Sequence, residues 1–280
     1  MTDGRRRLGD DLESIEMRAL LQTIYEHYGY DFRDYARGSL RRRLWKRAYA
    51  EGLKTLSGLQ EKVLHDSSVM ESLLVDLSVN VTSMFRDPAF YLSFRRKVVP
   101  LLRTYPFIRI WHAGCSTGEE VYSLAILLKE EGLYDRSRIY ATDINQQVLE
   151  RAGGASIPID RMKDFTQNYL TAGGTRAFSE YYEARGKAAK LDPSILENVV
   201  FAQHNLVSDG PFNEFHVVMC RNVMIYFNKG LQDRVHDLLH RSLISLGVLS
   251  LGHKETIKYT KAESLYEELD SDEKIYRRIA

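Results

Sequence analysis

The chain has 280 residues, with 39 Lys and Arg against 38 Asp and Glu and a net charge of +1, a balance that excludes a protein coating a polyanion. Hydrophobic residues at 44% and charged residues at 28% exclude a disordered or fibrous chain, and the length suits one large domain or two modest ones. Two cysteines make neither a disulfide framework nor a four-thiolate zinc site, no apolar run reaches the roughly 18 residues of a membrane span, and the polar, Arg-rich Met1–Asp10 stretch is unlike a secretory signal, so a cytoplasmic protein with reduced thiols is expected, without nucleic-acid partner or membrane insertion.

The first third reads as helical. Ile15, Leu20, Leu21, Ile24 and Tyr28 predict an amphipathic helix over Ile15 to Tyr28, stopped by Gly29. A second helix is expected from Asp34 to Ala50, with Leu40, Leu44 and Ala48 as its apolar stripe and Arg37, Arg41, Arg42, Arg43, Lys46 and Arg47 crowding the remainder. Two more are expected at Leu56 to His65 and Ser68 to Leu77, and no strand before Pro106. Beyond Pro106 the texture changes. Ile108 to Trp111 reads as a strand, Glu119 to Glu131 as a helix, Arg138 to Ala141 as a strand, and a helix starts at Asn145. Val199 to Ala202, Phe215 to Cys220 and Gly247 to Leu251 read as further strands, Leu231 to Leu243 as a helix, and Lys274 to Ile279 as a closing strand. This alternation predicts a parallel α/β sheet covered on both faces. Tyr169 to Leu196, with an aromatic run at Phe178 to Tyr182, interrupts it as a small inserted β-hairpin subdomain.

The candidate chemistry sits where the first two strands end. Ala113-Gly114-Cys115-Ser116-Thr117-Gly118-Glu119-Glu120 is a small-residue turn between strand and helix, which lets a ligand approach the backbone closely. Asp143 follows 25 residues after Gly118, near the spacing of an acid that holds a ribose. Together they suggest an adenosine-type ligand. A P-loop is missing, and Glu119 with Glu120 would repel a pyrophosphate. A cationic ligand fits better, and S-adenosylmethionine carries a ribose, an α-ammonium and a sulfonium. Two other patterns compete. Gly114 to Gly118 also matches G-x-S-x-G, and Asp209 and His253 follow in the order of an α/β serine hydrolase using Ser116, but no HGGG-type oxyanion segment precedes it. His236 and His240 stand one helical turn apart as in zinc sites, with Asp237 in place of the expected Glu, and read as a solvated pair.

Five stretches then follow in order: Asn80-Val81-Thr82-Ser83-Met84-Phe85-Arg86-Asp87; Trp111 to Glu120 with Tyr122-Ser123-Leu124-Ala125; Ala141-Thr142-Asp143-Ile144; His204-Asn205-Leu206; and Cys220-Arg221-Asn222-Val223-Met224-Ile225-Tyr226-Phe227. In order and spacing, from Met17 to Ile279, they resemble the CheR family of chemoreceptor protein-glutamate methyltransferases. The resemblance implies an α/β chain: an N-terminal all-helical domain (1–78) for receptor recognition, a linker (79–106) contributing to the cofactor site, and a Rossmann-type S-adenosylmethionine-dependent methyltransferase domain (107–280) with an inserted small antiparallel β-subdomain at about 169–198.

The implied reaction transfers a methyl group from S-adenosylmethionine to glutamate carboxylates, leaving S-adenosylhomocysteine. The implied partner is the cytoplasmic helical region of chemoreceptors or another signalling protein, and the enzyme is expected to act as a monomer. By matching position, Asn80, Thr82 and Arg86 reach the cofactor from the linker, Glu119 and Glu120 are the acids of the turn, and Asp143 is the ribose acid. Asn205 and Leu206 run along the adenine, and Arg221, Asn222 and Tyr226 lie beside the methyl site. Arg86 and Tyr226 are the expected catalytic residues, and no metal is implied. Arg37, Arg41, Arg42, Arg43 and Arg47 are expected to engage Glu-rich receptor helices. The sequence departs from the family pattern at Met84 (usually Phe), His112 (Ser), Val121 (Pro), His216 (an acid) and Lys254, which stands in a segment that usually reads Ser-Glu although Glu255 remains.

Overall fold

The computed structural model describes residues 2–78 and 82–279, with side chains from Asp11 onward. It divides into two compact units, residues 1–79 with Tyr226–Gln232, and residues 80–225 with 233–280.

The first unit is built from four helices, α1 (Thr2–Tyr28), α2 (Arg37–Ala50), α3 (Leu56–His65) and α4 (Ser67–Leu77). In α1 the buried residues are Met17, Leu20, Leu21 and Ile24, the i, i+3, i+4, i+7 positions of one stripe. Ile15 is not part of it. Two residues before Met17 it points some 200° away, and it is 54% exposed. Gly29 ends the helix at φ +76°, its N–H donating to the Tyr25 carbonyl. The second helix starts at Arg37 rather than Asp34, because Asp34 to Ala36 is drawn into a pairing with a returning segment. Ala36 N–H donates to the Tyr226 carbonyl at 2.7 Å, Asn228 N–H to the Asp34 carbonyl at 2.9 Å, and the Tyr35 and Phe227 rings meet edge-on. Thr55 and Asp66 cap α3 and α4 by accepting from Gly58 and Ser68 amides.

The second unit runs through α5 (Pro88–Ser93), one π-type turn (Phe94–Val98), α6 (Val99–Leu102), β1 (Ile108–Ala113), α7 (Glu119–Glu130), β2 (Ser137–Asp143) and α8 (Gln146–Gly154). It continues through β3 (Ser156–Pro158), α9 (Met162–Thr171), β4 (Tyr182–Arg185), β5 (Ala188–Leu191), β6 (Val199–Gln203), β7 (Phe215–Cys220), α10 (Lys229–Arg241), β8 (Leu243–Leu251), β9 (Tyr266–Asp270) and β10 (Ile275–Arg278). The division between the units falls within α10. Seven strands form one sheet in the order β6-β2-β1-β7-β8-β10-β9. The first five are mutually parallel, while β10 runs antiparallel to β8 and β9. Strand order reverses at β1, so a ligand crevice is expected outside the carboxyl ends of β1 and β7. From Val121 to Leu128 every residue of α7 is buried, because it packs into one apolar cluster with Phe90, Phe94 and Val98 of the preceding segment. No helix among the described residues is long and apolar enough to cross a membrane.

A second, antiparallel sheet has the order β3-β5-β4. Its edge strand β3 pairs Ile157 with Ala189, so the insertion draws on residues well before Tyr169. Three residues are too short a run for a period-two pattern to show. Glu130, at the end of α7, ties this region down by accepting from the Tyr169 and Tyr181 hydroxyls, the Thr175 amide and Arg95.

Candidate active site at the ends of β1, β2 and β7

The turn after β1 closes on left-handed backbone at Gly114 (φ +74°), Ser116 (φ +52°) and Gly118 (φ +92°). Both glycines are required sterically: a Cβ at Gly114 would lie 2.5 Å from Val223 Cγ2, and one at Gly118 would lie 2.7 Å from the Tyr122 ring. Amides of Gly114 and Cys115 both donate to the Thr142 carbonyl, which fixes the turn to the end of β2. Asp143 completes the junction, its two oxygens accepting from Ser116 N–H at 2.9 Å and Asn145 N–H at 3.1 Å. Burial holds the Asp143 carboxyl above the ordinary range despite those amide donors. A carboxylate has about four lone-pair positions, so Asp143 keeps accepting capacity for hydroxyl groups.

The two acids opening α7 are both buried and both paired. Glu119 accepts from the Thr117 hydroxyl at 2.6 Å and from Arg161 at 3.2 Å, and Arg161 reaches on to the Thr82 carbonyl at 2.6 Å. Glu120 is bonded to Arg221, whose other arm meets Asp87 at 2.7 Å. Burial alone would push Glu120 up, but Arg221, His112 and Arg86 outweigh it and hold the carboxyl low. The turn is therefore not the bare negative site that Glu119 and Glu120 suggest in the sequence. Its charge is largely matched, and carboxylates remain in excess only when Asp87 and Asp143 are included.

Arg86 stands between two residues with left-handed backbone, Phe85 (φ +49°) and Asp87 (φ +57°). For a bulky Phe this is a real outlier, held by its amide on the Ser123 hydroxyl at 2.8 Å and by aromatic contacts with Tyr91, Tyr169 and Phe178. Asn222 is also left-handed, at φ +61°. Of the eight non-glycine residues with left-handed backbone among the described residues, four, Phe85, Asp87, Ser116 and Asn222, fall within the predicted constellation. Asn205 and Leu206 lie on a half-exposed turn after β6, where the Asn205 side chain accepts from Val207 N–H. Asn80 lies outside the described residues.

Tyr226 belongs to the helical unit, where its ring carries the Arg43 guanidinium at 4.6 Å. Arg43 is buried and donates to the Leu77 carbonyl at 2.7 Å, so it supports the helical core rather than a receptor surface. Arg41 pairs with Glu13, Arg47 with Asp76 and Glu51, and Arg37 with Ser14, while Arg42 is exposed. The hydrolase arrangement is not assembled: Asp209 accepts from Asn205 N–H and Ser208, and His253 pairs with Glu273. His236 is not solvated either. It is 3% exposed, and burial lowers its pKa. Among the described residues no group of three or more His, Cys, Asp or Glu could hold a metal ion. Cys115 and Cys220 are buried free thiols.

Three residues make pairings that no local sequence pattern shows. Asp87 and Arg161 are defined by partners far along the chain. Glu255 is buried and collects amides from both the β7 and β8 loops. Only its retention beside the departing Lys254 marked it.

Two family profiles match the chain: "CheR methyltransferase, all-alpha domain" over residues 15–78 and "CheR methyltransferase, SAM binding domain" over residues 80–275. The Cher3 protein of Pseudomonas putida is 48% identical over 94% of this chain and 97% of its own length. A 104.1 kDa protein of Rhodobacter capsulatus is 32% identical over 89% of this chain, which spans 26% of that longer protein. The chemotaxis protein methyltransferase of Salmonella typhimurium is 30% identical over 87% of this chain and 84% of its own.

Proposed function

This chain belongs to the CheR methyltransferase family and is an S-adenosylmethionine-dependent methyltransferase; from that premise we propose that it methylates glutamate carboxylates in the cytoplasmic helical region of chemoreceptors. Relatives named as chemotaxis protein methyltransferases support the substrate class. The observation that supports the chemistry most directly is the setting of Arg86, whose backbone is held between two strained residues beside a buried ion-pair cluster. Strain of this kind costs of order 1–3 kcal/mol per residue and persists where the surroundings over-determine it.

The residues present fit the cofactor. The Gly114–Gly118 turn offers close backbone approach, Asp143 has acceptor capacity for ribose hydroxyls, and the Asn205–Leu206 turn follows the neighbouring strand β6. S-adenosylmethionine supplies the methyl group on a sulfonium. The acceptor glutamate, with a pKa of about 4.3, is ionised at neutral pH and needs no general base. An anion then meets a cation and charge is lost in the transition state, so strong stabilisation of the separated charges would slow the step. Alignment and partial desolvation carry the catalysis instead. Arg86 provides the alignment, its planar fork matching a carboxylate.

The test is titration calorimetry with S-adenosylhomocysteine, paired with transfer of labelled methyl to a receptor cytoplasmic fragment. Asp143→Ala should weaken binding by tenfold or more, about 1.4 kcal/mol. Arg86→Ala should keep measurable binding yet lower turnover by about a hundredfold. Label released from the receptor by mild base identifies a methyl ester. Wild-type turnover in Arg86→Ala, or base-stable label, would sink the reading.

A further inference from the structure

We propose that Glu255 is a positioning residue for methyl transfer: its carboxylate clamps the Asn222–Met224 backbone to the Gly252 turn and thereby sets the wall of the cofactor crevice. This rests on the function proposed above.

One carboxylate accepts four main-chain bonds. Glu255 Oε1 takes Val223 N–H at 2.9 Å and Met224 N–H at 2.7 Å, and Oε2 takes Asn222 N–H at 2.8 Å and Gly252 N–H at 2.7 Å. Three consecutive amides turned to one point form an anion-binding concavity. Here the chain fills that concavity with its own side chain, and Glu255 is only 5% exposed.

The clamp joins two neighbouring parallel strands just past their last pairing, Cys220 with Leu251. The approach is close enough that a Cβ on Gly252 would lie 2.8 Å from the Asn222 nitrogen. What the clamp fixes is functional in placement. Asn222 is held in the left-handed region, which Asn tolerates better than other non-glycine residues and which the clamp's bond to its amide helps to fix. Arg221, the residue before it, is anchored by Glu120 and Asp87. Val223, the residue after it, packs against Gly114 of the β1 turn, where a Cβ would meet it at 2.5 Å. Glu255 therefore sets the spacing between the β7 loop and the β1 turn without itself reaching into the crevice.

The conservative variants separate this role from simple stabilisation. In Glu255→Gln the single carbonyl oxygen can serve one pair of amides, while the NH2 group opposes the other pair. Glu255→Asp keeps the charge but is one methylene shorter and cannot hold both pairs. Three readouts apply: amide hydrogen exchange at Asn222, Val223, Met224 and Gly252, affinity for S-adenosylhomocysteine, and kcat with KM for a receptor fragment. The expected result is joint protection of the four amides in wild type and joint release in Glu255→Gln. Affinity should fall tenfold or more and kcat should fall further than receptor KM rises, with Glu255→Asp intermediate.

Cooperatively folded variants with a lowered melting temperature but affinity and kcat within twofold of wild type would overturn the proposal and leave a structural role. Should Glu255→Gln fail to fold, Glu255→Asp decides by the same criteria. Exchange needs no cofactor. Failure of wild type to bind S-adenosylhomocysteine would strike the function above and, with it, the positioning role. Four unprotected amides in wild type would strike the clamp itself.

Discussion

Arg221 has no exposed side-chain surface, and both arms of its guanidinium end on carboxylates, Glu120 and Asp87, while its Cζ lies 4.1 Å from the Phe90 ring centre. Removing the Arg221 and Glu120 charges from water, with Asp87 still partly exposed, is costly, and close geometry is what offsets that cost. The asymmetry makes a prediction. Arg221→Met fills similar volume but strands Glu120 inside the protein without its partner, and should lower unfolding stability by about 3–5 kcal/mol in urea denaturation. The double change Arg221→Met with Glu120→Gln removes the stranded charge and should recover part of that loss. A single variant as stable as wild type would show that Glu120 is protonated, solvated or carried by His112, 3.5 Å away, without Arg221, and the ion-pair account would fail. Residue types at this site were legible because they fall in contiguous motifs, as with Gly114, Gly118 and Asp143. Their pairings were not, because Glu120 and Arg221 lie 101 residues apart and nothing in either local pattern names the other. The acidic pair Glu119 and Glu120 was legible as charge but not as charge already matched.

The β9–β10 hairpin shows what an element's pattern conceals. Tyr266-Glu267-Glu268-Leu269-Asp270 is an acidic edge strand with little apolar alternation, so it gives no strand signal, although β10 beside it does. By contrast α3 and β7 are bounded as their periodicity predicts, because their caps and apolar runs are local. The edge strand is docked by its last residue. Asp270 accepts from the Ser93 hydroxyl at 2.5 Å and pairs with Lys97 at 2.9 Å. Burial pushes its carboxyl up, but the Ser93 and Lys97 donors and the Glu273 amide outweigh it, and the pKa falls to about 2 from the usual 3.8. A carboxyl depressed on folding adds stability that is fully present above its unfolded pKa and is lost as pH falls through the folded one. The window is therefore from 3.8 down to about 2. Asp270→Asn should be less stable than wild type at neutral pH, with the gap closing through that window in chemical denaturation at stepped pH. Parallel curves throughout would show that the contact does not discriminate between charge states.

At the scale of the whole molecule the net charge of +1 gives no general attraction to an acidic partner, so any steering must come from a local face. The helix α2 has the composition for one, but its arginines divide by burial. Arg43 is inside, and Arg41 and Arg47 are tied to acids of their own unit. The exposed surface carries Arg42, with Lys46, itself tied to Asp76 at 2.7 Å, one turn on and Tyr49, 68% exposed and stacked on Trp45, beyond it. Charge reversal across Arg41, Arg42 and Arg43 together would break the core and say nothing about recognition. The informative change is Arg42→Glu alone. An exposed ion pair is worth about 0.2–1 kcal/mol, so losing one and adding a repulsion should raise receptor KM by about threefold to tenfold at low salt. Affinity for S-adenosylhomocysteine should not change. Because the Debye length contracts to about 3 Å at 1 M salt, the KM difference should shrink as salt is raised. Arg43→Glu is the contrast, expected to destabilise the helical unit by stranding charge under Tyr226. If Arg42→Glu leaves receptor KM at the wild-type value at every salt concentration, the basic face of α2 is a solvated surface, and receptor recognition must be sought elsewhere on the chain.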